Sequence, residues 1–319
     1  SVLILSFFVL KNIFIFIFIY FENYVYFTLG TYFSEKIFFK YQKKGYEAQL
    51  GDSVYLKDGP FAGTPQQRAN DINQMFSDPN IDAIFCARGG YGANRVLPLL
   101  DYDLIQSKPK IIMGYSDITA FLTSITQKTG LVTFHGPMLS TFKNTLVPYN
   151  LDTLVNVLSG KEDIRIVEPN ELKPNILKFG KAIGPLWGGN MCLLVNRLGT
   201  KNQLNTDGVI LFIEDVDENL YAFDRMLFHM KEAGMLENIR GLIVGELTEM
   251  KDEIIPFGKT TDEIILDVCG DLNIPIVTNF PCGHGNYQAT LPISLPVELR
   301  ADNNFVELLF LESPVSKGD

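Results

Sequence analysis

The sequence predicts an α/β protein in two domains: an N-terminal parallel-sheet domain followed by a C-terminal mixed α/β domain richer in strand. Two observations point there. Short apolar runs, Ile81–Ala87, Lys110–Met113 and Leu131–Phe134, alternate with stretches of helical periodicity, as βαβ units require. Between Ser159 and Gly180 that periodicity fades, charge rises, and Pro169 and Pro174 appear, so the chain is expected to pass through a linker. The expected divisions are an apolar segment at 1–30, a first domain at 31–160, a linker at 161–180 and a second domain at 181–312.

The totals exclude several classes. With 319 residues, 46% hydrophobic and 20% charged, the chain can bury a sizeable core. Its 37 acidic against 27 basic residues give a formal charge of −10, and no Lys/Arg cluster forms a phosphate-tracking stripe, so no nucleic-acid partner is expected. Cys86, Cys192, Cys269 and Cys282 lie far apart with no C-x-x-C pair, which reads as reduced thiols in a cytoplasmic protein. Three histidines and no H-E-x-x-H leave little for a metal site, so none is expected.

Residues 1–30 stand apart. Val2–Leu10 is apolar except for Ser6, Lys11-Asn12 interrupt, and Ile13–Phe21 is an Ile/Phe-rich run. No basic start or small-residue cleavage site marks a secretory signal. A membrane helix would carry Lys11 near its middle, at a cost of roughly 3 kcal/mol. Membrane anchor, buried strand and a stretch outside the native coding sequence all stand as readings. From Tyr32 the pattern becomes conventional, with a helical stretch to Lys44. Thr64 is placed to cap a helix opened by Pro65, with Ala69, Ile72, Met75 and Phe76 on one face and Asp78-Pro79 at its end.

The strand Ile81–Ala87 runs into Arg88-Gly89-Gly90-Tyr91-Gly92, where glycines allow backbone amides to approach a ligand; a plain tight turn is the alternative. Neither a Walker nor a dinucleotide fingerprint is present, so no nucleotide cofactor is expected. The next strand ends in Gly114-Tyr115-Ser116-Asp117. After it Ile118, Phe121, Leu122 and Ile125 recur at helical spacing, so Ser116 falls at a strand-to-helix turn. A serine there is exposed beside helix N–H groups that favour negative charge. The match to the nucleophile elbow G-x-S-x-G is partial, because Ile118 replaces the second glycine; the alternative is that Ser116-Asp117 only caps the helix. His135, before Gly136-Pro137, is a candidate catalytic histidine, but the Gly-Pro turn beside it favours a structural one.

In the second domain Gly208–Ile213 is a buried strand with Glu214-Asp215 at its end. The stripe Leu220, Phe223, Met226, Leu227 and Met230 is core. His284 lies between Gly283 and Gly285 in a loop after a strand, a setting suited to a general base. A serine hydroxyl attacks well only when an imidazole takes its proton, and the imidazole works best when a carboxylate orients it. Ser116, Glu214 and His284 are compatible with that arrangement; Glu214 is equally compatible with a surface acidic pair with Asp215.

Several runs together, Ala87-Arg-Gly-Gly-Tyr-Gly92, Lys110–Asp117, His135-Gly-Pro-Met138, Gly188-Gly-Asn190, Ile213-Glu-Asp-Val216, Asp224-Arg-Met-Leu227 and Cys282-Gly-His284, resemble the LD-carboxypeptidase family. These are muramoyltetrapeptide carboxypeptidases, whose relatives include microcin C immunity-type hydrolases. The resemblance extends from about residue 32 to about 310. It implies a serine peptidase with Ser116, Glu214 and His284 as its triad, the serine on the first domain and the other two on the second. It also implies an oxyanion hole from the Asp117 and Gly90 amides and substrate contacts from Arg88, Gly89 and Tyr91. The implied substrate is a muropeptide stem losing D-alanine, with no cofactor, in a cytoplasmic homodimer; the alternatives are an immunity-type amide hydrolase and a non-catalytic muropeptide binder. One departure is that the apolar stretch before residue 30 stands where family members have their first strand.

Overall fold

The computed structural model describes residues 13–16, 49–142, 147–302 and 305–316. In the first domain β1 (Ile13–Phe16), β2 (Ala83–Cys86), β3 (Ile111–Gly114) and β4 (Phe134–His135) pair in parallel in that order. Ile13–Phe16, from the anomalous apolar segment, thus forms a strand beside β2; the rest of residues 1–48, including the helix expected up to Lys44, lies outside the described residues. All four residues of β2 are buried, as a continuous apolar run in a parallel sheet should be.

The helix Pro65–Ser77 starts as its sequence predicts. Thr64 accepts from the Gln67 amide, the Gln67 side chain accepts from the Thr64 amide, and Pro65 occupies the first turn. The helix Thr119–Thr129 follows a short 3₁₀ turn, Ser116–Ile118, and ends at Gly130 with φ 75°. Ile118, Phe121, Leu122 and Ile125 are each at most 1% exposed. Burying side chains of this size contributes about 1.5–3 kcal/mol each, and that anchors the turn carrying Ser116.

The second sheet contains β5 (Arg165–Val167), β6 (Asn175–Lys178), β7 (Gly180–Asn190), β8 (Ile210–Val216), β9 (Gly241–Thr248) and β10 (Ile276–Gly283). The short β11 (Leu291–Pro292) returns to the first sheet, antiparallel to β4, before β12 (Pro296–Asp302) and β13 (Phe305–Phe310) complete the second. Its order is β5-β13-β12-β7-β8-β9-β10-β6, with β7 to β10 parallel and the flanking pairs antiparallel. The stretch expected as a linker therefore contributes two strands. β5 alternates exposed, buried, exposed over three residues, too short a pattern to register as periodicity. Among the described residues no helix is long and apolar enough to cross a membrane.

The faces of β8 are separated by the core they join. Ile210 and Phe212 belong to the cluster that also contains Ile112, Met113 and Phe121 of the first domain. Leu211 and Ile213 join Phe223, Leu227 and Met230 of the helix Leu220–Glu232. Side chains alternate along a strand, so Glu214, two residues beyond Phe212, faces the first domain.

Candidate active site

Ser116 lies just beyond β3 with φ 62°, a left-handed conformation rare for a residue with a Cβ. Such strain costs about 1–3 kcal/mol and persists only where the surroundings enforce it. They do so by close packing. A Cβ on Gly114 would lie 2.7 Å from Ile118 Cγ2, and one on Gly89 would lie 2.7 Å from Ser116 Cβ and 2.9 Å from its Oγ. The glycine loop after β2 thus rests its backbone on Ser116. Below it the Asp117 carboxylate, 2% exposed, accepts a hydrogen bond from the Ala93 amide at 2.9 Å, tying that loop to the elbow. Burial pushes the Asp117 carboxyl up to about 6, against the opposing pull of the Ala93 and Gly92 amides and the Arg68 charge.

Glu214 is fully buried, and its Oε2 lies 2.7 Å from His284 Nδ1. Room for this contact comes from glycine: a Cβ on Gly283, whose φ is 107°, would lie 2.8 Å from Glu214 Cβ and 2.9 Å from Oε2. Burial alone would raise the Glu214 carboxyl, but the imidazoles of His135 and His284 directed at its oxygens outweigh burial and bring it down to about 2. For His284 burial favours the neutral ring, yet the Glu214 hydrogen bond and charge win and raise its pKa above the usual value. An ionised Glu214 can only accept, so Nδ1–H donates and Nε2 is left free to take a proton.

His284 also meets the strand that leads to Ser116. Its ring stands edge-on to Tyr115, immediately before Ser116, with centroids 4.9 Å apart. The residues expected to form a triad are thereby brought to one junction between the domains, although no hydrogen bond joins Ser116 to His284 among the described residues. Such bonds are often loose before substrate arrives. Asp215 takes the opposite direction: Asn190 Nδ2 donates to its Oδ1 at 3.0 Å and the Cys192 amide to its Oδ2 at 2.9 Å. Glu214 and Asp215 are 0% and 3% exposed, so the surface acidic pair is replaced by two buried carboxylates with separate partners.

On the glycine loop Arg88, Gly90 and Tyr91 are exposed, Tyr91 with its ring 5.9 Å from Phe61. The loop glycine packed on Ser116 is Gly89. His135, next to the Gly136-Pro137 turn, is buried. It is 2% exposed, ends β4, and places Nε2 3.7 Å from Glu214 Oε1. No local feature of His135-Gly136-Pro137 announces that position, because it depends on the packing of two sheets. The run Gly188-Gly189-Asn190 closes the same junction: the Asn190 amide donates to Thr119 Oγ1 at 3.0 Å, and a Cβ on Gly189 would lie 2.6 Å from that side chain.

Residues 34–136 match the LD-carboxypeptidase N-terminal domain and residues 183–299 the LD-carboxypeptidase C-terminal domain. A Bacillus subtilis protein named "Probable murein peptide carboxypeptidase" is 34% identical over 87% of this chain and 86% of its own length. The microcin C7 self-immunity protein MccF of Escherichia coli is 29% identical over 84% of this chain and 85% of its own. Among solved structures, a muramoyltetrapeptide carboxypeptidase from Oxalobacter formigenes superposes with a TM-score of 0.80 at 26% identity, covering 95% of this chain and all of that one. Both halves of the junction just described fall within these matches, and the chain belongs to the LD-carboxypeptidase family.

Proposed function

We propose that this protein is a serine carboxypeptidase that hydrolyses the LD-peptide bond of a muramoyl tetrapeptide and releases its terminal D-alanine. The observation that carries the reading is the 2.7 Å pair of His284 and buried Glu214 set against the strained turn of Ser116. Ser116 Oγ attacks the carbonyl carbon while His284 Nε2 takes its proton, and Glu214 stabilises the imidazolium. The developing oxyanion is held by the amides of Asp117 and Gly90, a type of contact that contributes about 3–4 kcal/mol per donor. His284 then returns the proton to the nitrogen of the departing D-alanine, and water hydrolyses the acyl-enzyme by the same route reversed. The exposed Tyr91 lines the approach beside the buried Gly89, and the exposed Arg88 pairs with the substrate's terminal carboxylate.

The test is mass spectrometry of muramoyl tetrapeptide incubated with the full chain and with Ser116→Ala. Loss of one D-alanine with the former and not the latter is expected. An intact tetrapeptide beside cleavage of a peptidyl-nucleotide amide would favour the immunity-type activity, which the relationship to MccF keeps in view. Binding of the tetrapeptide without turnover of either substrate would favour a non-catalytic role.

A further inference from the structure

The nucleophile domain holds a second imidazole behind the acid of the other domain. We infer that His135 is a positioning residue, whose Nε2–H faces Glu214 Oε1 and holds that carboxylate ionised and aimed at His284. This role rests on the reading of Ser116, Glu214 and His284 as nucleophile, acid and base.

The geometry is specific. Oε2 of Glu214 is taken by His284 Nδ1 at 2.7 Å, while Oε1 has no hydrogen bond among the described residues and has His135 Nε2 at 3.7 Å. That distance is longer than a hydrogen bond and within reach of a strong charge–dipole contact. A lone pair pointed at a carboxylate oxygen would be repelled, so the proton belongs on Nε2. Phe212 and Tyr115 stand edge-on to the ring, with centroids 5.1 and 6.1 Å away, and leave it little freedom to turn.

Its backbone is fixed with equal care. His135 lies opposite Gly114 across the β3–β4 pair and opposite Leu291 across β4–β11, and the Gly136 amide donates to Gly114 O at 3.1 Å. The residue two before the nucleophile therefore sets the level of the imidazole that supports the acid. A fully buried carboxylate left with one donor is driven toward its protonated form, which would no longer stabilise the His284 imidazolium.

The experiment compares His135→Leu, His135→Gln and His135→Asn in the full chain, each first shown to be folded by circular dichroism and thermal melting. The readout is the rate at which a fluorophosphonate labels Ser116, followed by intact-protein mass spectrometry. Gln places an amide N–H near the position of Nε2, whereas Asn places it near Nδ1, out of reach of Glu214. The Leu and Asn variants are expected to label about 10- to 100-fold more slowly, the usual cost of losing such an outer partner at metal-bound histidines. Gln should recover most of that loss, a rescue that general core damage would not produce. Equal rates for wild type and all three variants, or Gln as slow as Asn, would overturn the role. If His135→Leu fails to fold, the Gln and Asn pair still decides. Labelling of the wild type without D-alanine release would defeat the substrate assignment while leaving the His135 comparison intact; an unreactive wild-type Ser116 would overturn the triad and this role together.

Discussion

The two sides of the site are held rigid by different physics. On the first domain the elbow is a backbone construction: Ser116 keeps φ 62° because bare glycines at 89 and 114 let chain segments touch where a Cβ would collide. On the second domain the Glu214–His284 pair is a side-chain construction, in which a carboxylate with no exposure is kept ionised by imidazoles. Strain is borne on one side and desolvation on the other, and the core that Phe212 shares with Met113 holds both in register. Changes of shape should therefore damage the elbow, and changes of charge the pair.

The largest effects are expected where the two sides meet. Ser116→Ala and His284→Ala should each remove nearly all D-alanine release, leaving roughly 10³-fold over water from binding and the oxyanion hole; near-normal turnover in either would remove the assignment. Glu214→Gln keeps the shape of the pair but not its charge, and kcat should fall by about 10⁴, as for triads in general. Gly283→Ala keeps the charge and disturbs the shape, since its Cβ would lie 2.8 Å from Glu214 Cβ. A shift near 1 Å at the pair should lower kcat by about 10². A Gly283→Ala enzyme that lost as much kcat as Glu214→Gln would show that the pair is as sensitive to shape as to charge and that the contrast drawn above is wrong.

The smallest effect concerns pH. His284 titrates higher in the folded protein than its usual value, so its contribution to stability is full below about pH 6.5 and is lost as pH rises through the folded pKa. Glu214 is depressed to about 2, so its contribution is full above its ordinary value of 4.5 and is lost as pH falls toward 2. The stability gap between wild type and Glu214→Gln should therefore be widest between roughly pH 4.5 and 6.5. Thermal melts across pH 4 to 8 measure it. A gap that widens as pH rises from about 6.5 to 8 would contradict the pairing. Activity runs the other way, because the base must be free: kcat/KM should fall as pH drops through the raised His284 pKa.

Much of the elbow was legible in the sequence because its signals are local. Gly114, the helical stripe from Ile118 to Ile125 and, elsewhere in the first domain, the Thr64 cap before Pro65 all lie within a few residues of what they specify. The acid side was less so. Ile210–Ile213 is apolar on every residue because both faces of β8 are buried, so no alternation shows which way Glu214 points. His135 was harder still. Its approach to Glu214 is a meeting of two strands 79 positions apart along the chain in different sheets, and a motif that looks like a turn carries no trace of it. The strands β5 and β6 were missed because short, partly exposed edges with charged residues resemble loop.

The claim at the centre is that a serine on one domain owes its reactivity to a pair on the other. Fluorophosphonate labelling of Ser116, compared between the wild-type chain and Glu214→Gln, tests it without assuming any substrate. Rapid stoichiometric labelling at Ser116 in the wild type, slowed by orders of magnitude in Glu214→Gln, is the predicted result. Equal labelling of the two proteins, or labelling at another residue, would contradict it.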